Sequence, residues 1–191
     1  LAAIAEDSGV RLITTAELLA NASDIDGGAL SVSAVAISAG AGTLVNNGDG
    51  TWSYTPAAND DTAVAFSYTI SDGACGSVPG SATLARSSIN VPPTTSYLTL
   101  AAIAEDSGAR LITQAELLGN AADIDGGALS ATGLAISAGA GSLVDNLDGT
   151  WSYTPAGNDD SSVSFSYSSG DGAGGTVGGS ATLDLTPVND A

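Results

Sequence analysis

The sequence contains no histidine, no lysine and no methionine, and its only cysteine is Cys75. Without histidine the chain lacks the commonest general base at neutral pH and the commonest transition-metal ligand. Ser-His and Cys-His nucleophile pairs are excluded with it. A zinc site built from His and Cys is excluded as well. A single cysteine rules out an internal disulfide. Three arginines, Arg11, Arg86 and Arg110, stand against 21 acidic residues, for a formal net charge of −18. Nucleic acid and anionic membrane surfaces need a basic footprint, which this chain does not have. No apolar run approaches the roughly 20 residues of a membrane-spanning helix, and no charged-then-apolar leader pattern opens the sequence.

What is present is globular material written twice. The hydrophobic fraction is 43% and 25 of 191 residues are glycine, too apolar for a disordered acidic tail. LAAIAEDSG begins at Leu1 and again at Leu100, and a shift of 99 aligns residues 1–92 with 100–191 without a gap. Of those 92 pairs 64 are identical. The period is too long for solenoid repeats of about 20–50 residues and has the size of a small domain. We expect one repeat over 1–91, a linker over 92–97 marked by Pro92-Pro93 and a Ser/Thr cluster, and a second repeat over 98–191. The abrupt start and finish read as a piece of a longer array.

The pattern within a repeat is mostly β. Residues 30–38, 51–55, 64–70 and 81–84 alternate apolar with small or polar residues. Asp49-Gly50 ahead of Trp52 signals a hairpin, and Pro56 closes the Trp52 strand. Val64, Phe66, Tyr68 and Ile70 share one face, as do Trp52 and Tyr54, and these aromatics read as core. Thr14-Thr15-Ala16-Glu17 reads as a capping box opening a short helix over 15–20, with Ile13 and Leu18 placed as a hydrophobic staple. The second copy repeats it with Ile112, Thr113, Glu116 and Leu117. About six strands are legible. A head-to-tail string of sandwiches needs an odd number of crossings, so either the helical segment supplies the seventh or two strands near the N-terminus read as one. The expected fold is all-β: two tandem immunoglobulin-like β-sandwiches, each with one short helix.

The acids gather in turns: Glu6-Asp7, Asp24-Ile25-Asp26-Gly27-Gly28, Asn59-Asp60-Asp61 and Ser71-Asp72-Gly73. All nine acids of the first copy recur in the second. Asp49 reads as a hairpin residue and Glu17 as a capping residue. For the remaining clusters two readings stand, turn chemistry and cation binding. Adjacent carboxylates repel, each copy has at most two arginines, and Ca²⁺ takes six to eight oxygen ligands from Asp, Glu, Asn and backbone carbonyls. Mg²⁺ prefers to keep its waters. Arg11 and Arg110 are placed to pair with one of these carboxylates.

Glu6-Asp7, then the run from Leu18 through Asp24-Ile25-Asp26-Gly27, then Asp49-Gly-Thr-Trp52-Ser-Tyr54-Thr-Pro56, then Phe66-Ser-Tyr68-Thr-Ile-Ser-Asp72-Gly73 follow one another in a known order, and the chain closes on Thr186-Pro-Val-Asn-Asp190-Ala. This order resembles the bacterial cadherin-like and VCBS-type tandem repeats of large RTX adhesins and related surface proteins, over both copies nearly end to end. The resemblance implies a calcium-binding, cadherin-like sandwich, secreted or on the cell surface, serving as an extender of an adhesin or biofilm protein. Carried over residue by residue, Glu6, Asp7, Asp24, Asp26 and Asp72, with Glu105, Asp106, Asp123, Asp125 and Asp171, match its acidic motifs. Asp60 and Asp159 join them as candidate Ca²⁺ ligands from their loop cluster. The linker motif survives as Asn189-Asp190 at the end of the second copy and as Asn90 alone in the first, where Val91 replaces the acid. The implied partners are neighbouring repeats of the same chain. The alternative function is a module binding carbohydrate or a like domain. An enzyme, a nucleic-acid binder and a membrane-inserted protein are not expected.

Overall fold

The computed structural model describes residues 1–189. The chain folds as two compact units, Leu1–Ile89 and Asn90–Ala191. The first contains β1 (Ile4–Ala5), β2 (Arg11–Thr14), α1 (Thr15–Leu18), β3 (Ser31–Ala39), β4 (Gly42–Asn46), β5 (Thr51–Pro56), β6 (Val64–Ser71), β7 (Ser77–Leu84) and β8 (Arg86–Ser87). Its sheets run β2-β5-β4 and β3-β6-β7, all antiparallel, and β1 pairs in parallel with β8. The second contains β9 (Leu98–Ala104), β10 (Arg110–Thr113), α2 (Gln114–Leu117), β11 (Ser130–Ala138), β12 (Ser142–Asp145), β13 (Thr150–Thr154), β14 (Val163–Gly170) and β15 (Thr176–Thr186). Its sheets run β10-β13-β12 and β11-β14-β15-β9.

The two N-terminal strands that the sequence merges are β1 and β2. They are split by the Glu6–Val10 turn, where Asp7 (φ 54) and Gly9 (φ 81) take left-handed backbone. Residues 90–97, placed in the sequence at the end of the first repeat and in a linker, belong to the second unit.

Period-two alternation builds each core. In the first unit Ile13 lies opposite Trp52 in register. Ile13, Leu18, Trp52, Tyr54, Val64, Phe66, Tyr68 and Leu84 form one buried cluster. Tyr54 of one sheet meets Phe66 of the other edge-on, with centroids 5.4 Å apart and planes at 87°. Such a contact adds about 0.5–1.5 kcal/mol beyond its buried area, and Tyr153–Phe165 repeats it at 5.3 Å. The Tyr54 hydroxyl donates to the Ala41 carbonyl at 2.6 Å. That bond explains the Ala/Gly stretch over 38–42. At Gly42 (φ 133) a Cβ would lie 2.6 Å from the Tyr54 ring, so only glycine lets the β3–β4 turn close over it.

The capping box forms as expected. Glu17 N–H donates to Thr14 Oγ1 at 3.2 Å, and Thr14 N–H donates to Glu17 Oε2 at 3.0 Å. The helix is shorter than expected, four residues, with Leu18 buried. Tyr68 OH donates to the Leu18 carbonyl at 2.9 Å and so fastens the helix end to β6. Arg11 and Arg110 pair with the capping glutamates Glu17 and Glu116 rather than with the clustered loop acids.

Two positions in the second unit depart from the first at a cost. Leu147 stands in the β12–β13 hairpin where the first unit has Gly48, adopts φ 61 and is 90% exposed. Left-handed backbone costs a non-glycine residue about 1–2 kcal/mol, so Leu147→Gly is expected to stabilise the second unit by about 0.5–1 kcal/mol after glycine's own entropy. Ser169 is fully buried and its hydroxyl has no hydrogen-bond partner among the described residues. Ser169→Ala removes an unsatisfied polar group and is expected to stabilise by about 1 kcal/mol. Native-state hydrogen exchange of β14 amides reads both. Faster exchange in either variant contradicts the assignment.

Candidate cation site

In each unit the acidic loops lie at the two ends of one strand. In the first, Asp60 precedes β6 and Asp72 follows it, and eight residues at about 3.3 Å each separate them by roughly 26 Å. Asp24, Asp26 and Asp72 therefore form one group and Glu6, Asp7 and Asp60 another.

The Asp24/Asp72 end is built by turns. Asp24 Oδ1 accepts the Asp26 N–H at 2.8 Å. Asp72 Oδ1 accepts the N–H groups of Ala74 at 2.7 Å and Gly76 at 3.0 Å. The free oxygen of Asp24 and the carbonyl of Asp72 converge on Gly28, where a Cβ would lie 2.8 Å from Asp24 Oδ2 and 3.4 Å from Asp72 O.

The second unit repeats this with more partners. Asp123 Oδ1 accepts Asp125 N–H at 2.8 Å, and Asp171 Oδ1 accepts Ala173 and Gly175 N–H at 2.7 and 3.0 Å. Asn90 Nδ2 donates to Asp171 Oδ2 at 2.9 Å, and Val91 N–H donates to Asp125 Oδ2 at 2.6 Å. The Asn90 bond, with the two backbone donors, holds the Asp171 carboxyl below its ordinary pKa against the opposing effect of burial. Asp123 Oδ2 is buried and has no hydrogen-bond partner among the described residues.

The other end is differently occupied. Glu6 is 2% exposed and its Oε1 accepts Ile89 N–H at 2.6 Å. Glu105 accepts Val188 N–H at 2.7 Å in the same way. Asp7 and Asp106 accept the N–H of Asn59 and Asn158 at 3.1 and 3.4 Å. Asp60 accepts from Thr62 and from the buried Arg86, Nη2 at 2.8 Å. The Thr62 bond and then Arg86 hold its carboxyl below the ordinary range. Leu185 occupies the Arg86 position in the second unit, where Asp159 is held low by Ser161 instead. Asn189 lies within the described residues and Asp190 outside them.

Comparison with known proteins identifies the architecture. A model of the "Cadherin-like domain" matches residues 1–86 and again 89–186. The chain belongs to the cadherin-like domain family. Three solved cadherin structures match the cadherin-like pair. Human CDH23 EC21–23 is 14% identical at a TM-score of 0.60, covering 100% of this chain and 68% of that one. Human mucin-like protocadherin EC1–2 is 13% identical at 0.51, covering 98% and 96%. Protocadherin gamma B2 domains 1–5 are 14% identical at 0.51, covering 100% and 39%. These establish the fold. The chain spans only 28% of an endo-fucoidan hydrolase of glycoside hydrolase family 107 that it matches at 19% identity, and that TM-score, 0.36, bears on neither fold nor activity. No curated protein sequence matches the chain.

Within these cadherin-like repeats, no three Asp, Glu or Cys side chains gather at one point among the described residues. What gathers is a mixed oxygen set. At the Asp123/Asp171 end it comprises carboxylates, an amide side chain and a backbone carbonyl, with one buried carboxylate oxygen uncommitted. That donor chemistry fits a hard cation. At the other end Glu6, Asp7, Glu105 and Asp106 each commit one carboxylate oxygen to a backbone N–H, and in the first unit Asp60 pairs with Arg86. Eight of the nine aromatics, all but Tyr97, are buried in the two cores. The sequence did not reveal Arg86 as the Asp60 partner or Val91 N–H as the Asp125 partner. A lone arginine carries no directional signal, and backbone donors are silent in a sequence.

Asn90→Ala is expected to raise the Asp171 pKa towards its ordinary value, read by carboxyl-detected NMR titration. The sign follows from linkage. A depressed folded-state pKa adds stability above the unfolded value of about 3.9 and loses it as pH falls through the folded value. The variant therefore loses less stability than the parent on acidification below pH 4. An unchanged Asp171 titration means that the bond is absent in solution.

Proposed function

We propose that the chain is a pair of Ca²⁺-binding structural repeats of an extracellular or cell-surface adhesin, extenders that hold a binding domain away from the cell. The observation that carries this reading is Asp123 Oδ2, a buried carboxylate oxygen left without a partner in a chain of net charge −18. The cadherin-like family match over both repeats supports it. The residues that would hold the ion are Asp24, Asp26 and Asp72 in the first unit, and Asp123, Asp125, Asp171 and the Asn90 side chain in the second. Glu6, Asp7, Glu105 and Asp106 are a second group, to which Asn189 and Asp190 belong by motif. When bound, Ca²⁺ supplies positive charge that the three arginines do not. The chain's own part is to fix the loops in advance, because the Asp24, Asp72, Asp123 and Asp171 turns are already closed by their backbone hydrogen bonds.

Linkage gives the size of the effect. A ligand that binds only the folded state stabilises by RT ln(1 + [L]/Kd). With the Kd of extracellular modules, about 10⁻⁴–10⁻³ M, 10 mM Ca²⁺ adds roughly 1.4–2.7 kcal/mol per site. For a unit this size that is a Tm rise of about 10 °C. Thermal unfolding in EDTA and then in 10 mM Ca²⁺ is the test. The expected result is that rise, reversible with EDTA and weaker with Mg²⁺. Asp123→Asn keeps the turn-closing oxygen and removes the charge. It should leave the EDTA Tm near the parent's and lose most of the second unit's response. Equal Tm values with and without Ca²⁺ overturn the reading.

A further inference from the structure

The β4–β5 hairpin carries Asn47-Gly48, and the β12–β13 hairpin carries Asn146-Leu147 at the same place. The two loops are built alike, yet their covalent chemistry differs. Asparagine is a thermally labile side chain. A following glycine makes it more so, because no side chain shields the next backbone nitrogen. The Gly48 nitrogen, once deprotonated, attacks Asn47 Cγ. The N–Cγ bond forms, the Cγ–Nδ2 bond breaks, and ammonia leaves a cyclic succinimide. Water then opens either imide carbonyl, giving aspartate or its β-linked isomer. Water is the one co-reactant, and nothing is oxidised or reduced. A leucine in the glycine position crowds the same attack.

The folded hairpin commits both reacting groups elsewhere. Gly48 N–H donates to Asn46 Oδ1 at 2.9 Å. Asn47 Nδ2 donates across the loop to Thr51 Oγ1 at 2.9 Å and to Ser53 Oγ at 3.1 Å. Asn47 Oδ1 accepts from the Ser53 hydroxyl at 3.2 Å, and Asn47 N–H donates to the Thr51 carbonyl at 3.1 Å. Thr51 in turn donates to Asp49 Oδ1, from its hydroxyl at 2.6 Å and its N–H at 3.1 Å. The loop is also pinned to α1, where Thr15 N–H and hydroxyl donate to the Gly50 carbonyl at 3.1 and 2.7 Å. Asn47 and Gly48 are both exposed. Water therefore reaches them, and the hydrogen-bond ladder rather than burial keeps the amide intact.

We propose that Asn47 is a covalent modification site gated by folding, sealed while the β4–β5 hairpin is closed and converted to aspartate or isoaspartate when it opens. The change runs one way. The product has no Nδ2–H donors for Thr51 and Ser53, and it sets a second carboxylate on Thr51, which already serves Asp49. The isoaspartate also adds a methylene to the backbone inside the loop, against the β4–β5 register. A first unit that has opened and reacted refolds less stably. The second has the same ladder at Asn146, at 3.0, 3.1 and 3.2 Å, but Leu147 behind it, and refolds unchanged. One unit of the pair thus keeps a chemical record of having been opened.

The test holds the full chain in EDTA at mildly alkaline pH, with and without urea, and follows Asn47 and Asn146 by peptide-mapping mass spectrometry. EDTA keeps the outcome independent of any bound cation. Asn47 is expected to convert about tenfold or more faster in urea, because native conversion runs only through the open fraction. Asn146 is expected to stay an amide in both. Ser53→Ala removes one rung of the ladder and is expected to speed native conversion about threefold or more. Exchanging the neighbours gives a readout that does not depend on folding: in urea, Gly48→Leu should stop conversion at Asn47 and Leu147→Gly should start it at Asn146. Equal Asn47 rates in native buffer and urea overturn the gating. An unchanged native rate in Ser53→Ala overturns the role of the ladder. Conversion of Asn146 in step with Asn47, or no effect of the exchanged neighbours, overturns the site itself.

Discussion

The structure depends on a carboxylate oxygen accepting a backbone N–H. With three arginines against 21 acids, side-chain cations cannot supply the counter-charge, and peptide groups supply it instead. Asp72 gathers two amides of its own turn, Asp24 one, Asp7 one from the Asn59 loop, and Glu6 one from Ile89 at the far end of its unit. Hydrogen bonds to an ionised acceptor are roughly twice as strong as neutral ones. Each loop is thereby given a fixed shape, and each carboxylate keeps an oxygen in reserve or spends both. Asp123 keeps one. Asp60 spends both, on Thr62 and Arg86.

The fold was legible where period and chemistry agree. Alternation around Trp52-Ser-Tyr54 and Val64-Ala-Phe66-Ser-Tyr68 fixes which faces pack, and the Thr14/Glu17 box fixes where the helix begins. The two-residue strand β1 left no trace, because Ile4-Ala5 is too short for alternation to register. The helix ended early because the Tyr68 hydroxyl captures the Leu18 carbonyl, a bond between residues 50 apart in sequence. At the candidate site the acids themselves were legible and their grouping was not. Glu6-Asp7 and Asp24/Asp26 are close in sequence, yet β6 holds their loops at opposite ends. The contribution of Gly28, which leaves space beside Asp24 and Asp72, is invisible until the chain is folded.

The near-duplication acts as an internal control. Arg86 becomes Leu185, Ile70 becomes Ser169 and Gly48 becomes Leu147, and the architecture persists through all three. The aromatic pair, the capping box and the acid-closed turns are unchanged in both copies. A buried arginine paired to Asp60 and a buried leucine at the same position are alternative ways of filling one site. This agrees with the general finding that a buried ion pair and a well-packed apolar residue are of comparable worth.

The parallel pairing of the terminal strands has a mechanical meaning. In each unit the first and last strands lie side by side in parallel, β1 with β8 and β9 with β15. A tension applied at the two ends of a unit therefore pulls these strands past one another. Every hydrogen bond between them is loaded at once in shear instead of opening one after another like a zip. In the second unit five registered pairs share that load.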